Sequence, residues 1–321
     1  MTRAVRAAVV GVGYLGRFHA EKYLAHGGAE LVGVVDVDPE RVQMIAAALG
    51  VEAATDHRAF LGRIDCASVA VPTQHHYAVA RDLLETGIDV LIEKPLTSTV
   101  EEGKALVELA VRTGRVLQVG HLERFNPAVL ALDGVVTQPR FIECHRLAPF
   151  TERGTDVDVV LDLMIHDLDL ILSMVPSALR SVEAVGVPVV TPSVDIANAR
   201  LRFANGCIAN VTASRVSLKR ERKLRIFQAD AYVSVDCDAR RVRICRREAG
   251  PDGQAALALE EREVGETDPL EREIDAFLRA VRRVEPPAVS GWDGLRVLEV
   301  VQVIRESLEA EVRAVQAGER S

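Results

Sequence analysis

The sequence predicts an α/β protein in two parts: an N-terminal doubly wound parallel sheet, then a C-terminal α+β domain built on an open-faced, mostly antiparallel sheet. Three observations carry this. Up to His121, short β-rich runs alternate with helical periodicity, and several of the helices stop at a glycine. From Ser181 onward the pattern changes to consecutive strands with no helix between them. The length of 321 residues suits two domains at roughly 150 residues each, so the boundary is expected after His121, between parts 1–121 and 122–321.

Composition narrows the function classes. Lys and Arg number 39 against 47 Asp and Glu, a formal charge of -8, which offers no general basic surface to nucleic acid. No apolar run approaches the roughly 18 residues of a spanning helix, and the first residues enter a strand pattern rather than a signal-peptide layout. A cytoplasmic protein without a membrane partner is expected. Cys66, Cys144, Cys207, Cys237 and Cys245 are scattered and include no Cys-x-x-Cys pair, so they read as reduced packing residues.

The first strand pattern, Ala4 to Val10, runs into Gly11-Val12-Gly13-Tyr14-Leu15-Gly16 and then a helical pattern from Arg17. Strand, glycine turn and helix together form a dinucleotide site. Gly11 permits the turn, Gly13 admits a pyrophosphate to the backbone, and Gly16 lets helix and strand pack closely, with the phosphate charge resting on the helix N-terminus; Tyr14 and Leu15 of the same turn are taken as cofactor-binding residues. The second strand, Leu31 to Val35, ends in Asp36, 20 residues past Gly16, where a carboxylate accepts ribose hydroxyls. That carboxylate repels a 2′-phosphate, so NAD is expected over NADP, with Arg41 the one nearby residue that favours NADP.

Pro39 to Leu49 reads as the next helix, and Ala67 to Val71 as a strand that leads into Pro72 and Thr73 at the crevice edge. His75 and His76 start the following helix. Neighbours on a helix point about 100° apart, so the pair is expected beside the cofactor, with no metal. Val90 to Ile92 is a short buried strand carrying Glu93 and Lys94 at its carboxyl end, and Pro95 forces the chain out of the sheet. Carboxyl ends of parallel strands line the ligand crevice, which makes Glu93 and above all Lys94 site residues. A helix, Thr97 to Gly114, and a strand, Val116 to Val119, close this half.

His121, Arg124 and Asn126 follow at the expected domain junction, where they read equally as substrate ligands or interface hydrogen bonders. Phe141 to Arg146 is a strand releasing a loop that contains Arg153. The segment Asp158 to Val175 reads as one buried helix. On it Asp158, Asp162, His166, Asp169 and Ser173 share an arc of about 80° and Asp167 points away. The i,i+4 spacing brings Asp162 to the His166 imidazole, the arrangement of an oriented general base. The strands that follow carry an Asn205-Gly206 turn and a basic cluster from Arg215 to Arg225. Glu248 to Asp268 reads as an acidic surface excursion, and two helices, from Glu271 and Trp292, end the chain.

The motifs GVGYLG, VAVPTQHH, EKP and DLMIHD, in this order, resemble those of the glucose-fructose oxidoreductase, inositol dehydrogenase and rhizopine-catabolism family along essentially the whole length. VPTQHH departs from the usual Thr-Pro-Asn, so backbone contacts from Val71, Pro72 and Thr73 to the cofactor are expected to survive better than side-chain ones. The resemblance implies a Rossmann domain, an oligomerisation sheet forming a homodimer or homotetramer, and a catalytic group of Lys94, His166 and Asp162. Within the family, VGHLERFNPA and DVVLDLMIHDLDLIL are most similar to the branch that oxidises C3 of UDP-N-acetylglucosamine for lipid A or envelope polysaccharide synthesis. That branch implies Arg124, Arg146, Arg153 and Arg215 as candidates to meet a diphosphate. Either Lys94 or His166 serves as the base, and a sensor that keeps the fold without chemistry, or an NAD-dependent glycosidase, is the competing reading.

Overall fold

The computed structural model describes residues 3–151, 157–249 and 255–318. The chain divides into two compact units, one of residues 1–122 and 268–298, the other of 123–267 and 299–321. The first closing helix and the start of the second therefore belong with the N-terminal half, although the sequence alone assigned everything past 121 to the second part.

The first unit holds a parallel sheet in the order β3-β2-β1-β4-β5-β6. Its strands are β1 (Val5–Val10), β2 (Ala29–Val35), β3 (Glu52–Ala54), β4 (Cys66–Val69), β5 (Asp89–Glu93) and β6 (Leu117–Gly120). The helices between them are α1 (Tyr14–Ala25), α2 (Pro39–Leu49), α3 (His76–Glu85) and α4 (Val100–Thr113). Strand order reverses between β1 and β4, and a crevice opens at such a point outside the carboxyl ends. β4 and β5 are buried on both faces, as parallel strands covered by helices must be. The expected glycine stops hold: Gly50 and Gly114 end α2 and α4 in the left-handed conformation at φ 70° and 64°.

One core of this unit joins Val9, Tyr23, Val34 and Leu91 to Ile274, Phe277 and Leu278 of α7 (Pro269–Val281). α7 is thus an extra cover for a sheet that the helices of residues 1–122 do not finish covering.

The second unit is an eight-stranded sheet in the order β14-β13-β12-β11-β7-β10-β9-β8. The strands are β7 (Phe141–Leu147), β8 (Leu179–Val187), β9 (Ile196–Phe203), β10 (Ile208–Ser214), β11 (Glu221–Phe227), β12 (Ala231–Asp236), β13 (Arg241–Ala249) and β14 (Ala255–Glu263). All neighbours are antiparallel except β7 and β10. Burial alternates along β7, β10 and β12, so one face packs on the core and the other does not. The short helix α5 (Pro127–Leu130), α6 (Ile165–Met174) and the end of α8 (Gly291–Gly318) complete the unit.

Two expectations need correction here. β14 lies inside the segment read as a surface excursion. Its acidic residues are answered across the ladder, Glu261 by Arg243 at 3.1 Å and Glu263 by Arg241 at 3.4 Å, so pairing rather than burial makes it a strand. The single helix expected over Asp158 to Val175 begins as a π-helical stretch, Val160–Met164, before α6 takes over. Such π-bulges shift the side chains that follow them relative to those before.

Candidate active site

The crevice of the first unit begins at Gly11, whose φ of +87° requires glycine; a Cβ there would also stand 2.7 Å from the Ala70 carbonyl. At Gly16 a Cβ would overlap the Gly11 carbonyl oxygen at 1.7 Å, which is the close helix–strand packing the motif needs. Gly13, the N-cap of α1, is different: nothing lies within 4 Å of the position its Cβ would take. It makes no side-chain cap and the first turn carries no acid. By contrast α2 and α4 are capped by Asp38 and Thr99. The space beside Gly13 at the N-terminus of α1 is thus open, which fits a pyrophosphate. Tyr14 and Leu15 are exposed at this turn.

Asp36 ends β2 with its carboxylate buried. Oδ2 accepts the Val12 N–H at 3.0 Å, and Oδ1 accepts the Asp38 N–H at 3.0 Å and Arg41 Nη1 at 3.1 Å. A carboxylate has about four acceptor positions, so a position on Oδ2 remains for a ribose hydroxyl. Arg41 is also paired with Asp38 at 3.1 Å, and both of its acidic partners hold it against serving a 2′-phosphate.

Beyond β4, Val71, Pro72 and Thr73 turn the chain toward α3. His76, expected beside the cofactor, is instead a buried clamp: Nδ1 lies 2.9 Å from the Pro95 carbonyl and Nε2 2.9 Å from the Val71 carbonyl. It stands between the end of β4 and the end of β5, and as a neutral imidazole it donates to one of these carbonyls. Burial lowers its proton affinity despite these carbonyls. Glu93 likewise turns inward, toward His19 at 3.0 Å, and its other oxygen accepts the Lys94 backbone N–H at 3.2 Å. Lys94 follows at the carboxyl edge of the sheet, half-buried, with a cis bond to Pro95. His121 is buried just past the end of β6.

In the second unit the polar residues around α6 divide. Asp158 caps the π-helical stretch, accepting from Val160 and Leu161, and pairs with Arg305 at 3.0 Å. Asp162 and His166 are half-buried. Asp169 is held bidentately by Arg124 at 2.7 and 2.8 Å. On the other side of the helix Arg146 grips Asp167 at 2.9 Å through two bonds and reaches Glu123 at 2.9 Å. Burial works against the Arg146 charge, but Asp167 and Glu123 outweigh it and hold the guanidinium protonated. Arg215 is buried against Asp195 at 2.8 Å and the Val157 carbonyl at 2.7 Å. Asn126 caps α5 and donates to Glu123 at 3.2 Å. Three arginines expected at a diphosphate are therefore engaged by carboxylates of their own unit, and Arg153 lies outside the described residues. The basic cluster after Arg215 is answered in the same way, by Glu221, Asp238 and Glu143.

Comparison with known proteins decides between the readings of this geometry. The family model for oxidoreductases with an NAD-binding Rossmann fold matches residues 5–121, and the GFO/IDH/MocA C-terminal domain matches 128–234. A UDP-N-acetylglucosamine 3-dehydrogenase from Acidithiobacillus ferrooxidans is 41% identical over 308 residues, 95% of this chain and 98% of the relative. The chain belongs to the GFO/IDH/MocA oxidoreductase family. The solved structure of a UDP-N-acetylglucosamine 3-dehydrogenase from the same organism matches with a TM-score of 0.90 at 39% identity, covering 96% of this chain and 99% of that one. A scyllo-inositol 2-dehydrogenase (NAD(+)) from Bacillus subtilis is 31% identical over 236 residues, 68% of this chain and 69% of the relative.

As a GFO/IDH/MocA protein the chain is an oxidoreductase that uses NAD, and its α1 N-terminus and Asp36 are the features that fit the cofactor. Sequence reasoning missed two buried residues, His19 and Glu273, that gather at Glu93. His19 sits one helical turn beyond Gly16, and Glu273 shares the apolar stripe of α7.

Proposed function

We propose that this chain oxidises C3 of the N-acetylglucosamine ring of UDP-N-acetylglucosamine to the 3-keto sugar nucleotide. The observation that carries the reading is the near full-length likeness to the Acidithiobacillus ferrooxidans relative, joined to Lys94 at the carboxyl edge of a sheet whose crevice fits NAD. Bound NAD supplies the hydride acceptor. His166, oriented by Asp162, takes the hydroxyl proton as the C–H bond breaks, and Lys94 donates a hydrogen bond to the same oxygen and stabilises its developing charge. Tyr14, Leu15 and the backbone of Val71, Pro72 and Thr73 line the cofactor, while His121 and Arg153 serve the sugar nucleotide.

A 3-keto sugar nucleotide is the substrate an aminotransferase requires, which places the reaction before amino-sugar formation in the cytoplasm, on the way to lipid A or envelope polysaccharide. Among the described residues no helix is long and apolar enough to cross a membrane. The second unit also assembles the protein into a homodimer or homotetramer through the uncovered face of its sheet.

The test is NADH formation from NAD with UDP-N-acetylglucosamine, UDP-glucose, inositol and free sugars. Turnover confined to UDP-N-acetylglucosamine is expected. Turnover of inositol with none of the sugar nucleotide would overturn the substrate assignment.

A further inference from the structure

Behind Lys94, inside the first unit, His19 of α1, Glu93 of β5 and Glu273 of α7 bring their nitrogen and oxygen atoms within 4.8 Å of one another. His19 spans the cluster, with Nε2 3.0 Å from Glu93 and Nδ1 3.1 Å from the Ser68 hydroxyl, which lies 2.9 Å from the Tyr23 hydroxyl. Glu93 is thus bonded on one oxygen by His19 and on the other by the Lys94 N–H.

Glu273 stands apart from this order. It is fully buried, and neither carboxylate oxygen meets a donor. Gln118 of β6 donates its amide to the Glu273 backbone carbonyl at 3.2 Å, yet its own Oε1 is also buried without a donor. The pocket therefore holds more acceptors than donors. A buried carboxylate ion with no donor costs several kcal/mol, and the neighbouring Glu93 charge adds repulsion. A single proton removes both problems, because it turns Glu273 from a stranded acceptor into a donor facing an ionised carboxylate.

We propose that Glu273 carries a proton shared with Glu93, and that by fixing this carboxylate against the Lys94 N–H it acts as a positioning residue for Lys94. The role in positioning rests on the dehydrogenase reading above; the shared proton does not. Burial, and after it the charge of Glu93, push the Glu273 carboxyl well above the usual carboxylate range. Burial acts in the same sense on Glu93, but the bonds and charges of His19 and Lys94 prevail and keep it low. The groups beside Glu273 are His19 of α1 and Glu93 of β5, Tyr23 of α1, and Gln118 of β6, which donates to its backbone carbonyl. One negative charge then stands behind Lys94 instead of two.

Glu273→Gln mimics the neutral acid and keeps a donor, whereas Glu273→Leu removes it. A group whose folded pKa is raised contributes stability that is present below its unfolded pKa and is lost as pH rises through the folded value. Thermal unfolding of the full chain with NAD should therefore show the wild type losing ground to Glu273→Gln as pH rises above the ordinary carboxylate range. An infrared carboxylic-acid band should be present in the wild type and absent from Glu273→Gln. In turnover, Glu273→Gln should stay within about threefold of the wild-type kcat and Glu273→Leu should fall by about tenfold or more, with KM for NAD unchanged. Parallel pH curves, absence of the infrared band, or a stoichiometric metal ion in the purified protein that Glu273→Gln abolishes would each overturn the shared proton. Equal kcat losses in the Gln and Leu variants would overturn the positioning role. Because unfolding and infrared read no turnover, an enzyme inactive toward every sugar but with the linkage intact would sink the dehydrogenase reading and the positioning role, and leave the shared proton standing.

Discussion

Lys94 and Arg146 show how differently two cations act in this protein. Lys94 ends a strand at the crevice and is proposed to meet the reacting oxygen, so Lys94→Ala should lower kcat by about 10²–10⁴-fold. NAD affinity, followed by cofactor fluorescence, should stay nearly intact, because α1 and Asp36 are the features that fit the cofactor. Retention of full activity would remove Lys94 from the chemistry. Arg146 is almost fully buried and holds two carboxylates, Asp167 and Glu123. Arg146→Ala strands both, and breaking a buried pair in this way costs about 3–5 kcal/mol. Denaturant unfolding should show that loss, and Arg146→Lys should recover only part of it, because an ammonium cannot make the bidentate contact. The strand-end positions of Lys94 and Asp36 were legible in the sequence because each is fixed by its neighbours: a strand, a glycine turn, a proline. The arginines were not. Their partners lie 45 residues away for Arg124 and 21 for Arg146, and a sequence that shows arginines near a proposed site does not show which carboxylates answer them.

Among the elements, α7 makes the sharpest demand on the fold. Its residues Leu270, Glu273, Ile274 and Phe277 follow the i, i+3, i+4, i+7 rule, and three of them are fully buried. That stripe announces a buried face but not the surface it covers, which is why the helix was legible and its membership of the first unit was not. The same stripe could have exposed Glu273 as a buried acid. Phe277 packs in the core shared with β1, β2 and β5, so Phe277→Ala should cost about 3–5 kcal/mol. The loss should register as a lower melting temperature and as weaker NAD binding, because the helix supports the sheet that forms the crevice. Unchanged stability would mean that the first unit is complete without α7. The π-helical stretch was hidden for another reason: periodicity assumes a regular α-helix, and Val160–Met164 departs from it just before His166.

At the scale of the whole molecule, the uncovered face of the eight-stranded sheet asks for a partner. Strand register lines up Ile208, Phe141, Phe227, Tyr232, Cys245 and Leu259 as direct neighbours across β10, β7, β11, β12, β13 and β14. The row is continuous and apolar, with Phe227 stacked on Tyr232 at 4.8 Å and near Phe141 at 5.7 Å. Leu259 is 67% exposed and Phe227 38%. Isolated apolar side chains on a surface need no explanation, but a contiguous row across a sheet face is the kind of patch that serves as an interaction surface. Flanking it are polar side chains such as Asn198, Asn210 and Thr212, the pattern of an apolar centre with a polar rim. Two copies can satisfy this face by an isologous contact, each row meeting its own equivalent. Light scattering should therefore report a dimer or tetramer, and the paired change Phe227→Asp with Tyr232→Asp should shift it to the monomer. These side chains lie outside the core of their own unit, so the variant should keep its fold by circular dichroism. A wild-type monomer at micromolar concentration would show that the row is covered by something other than a second copy.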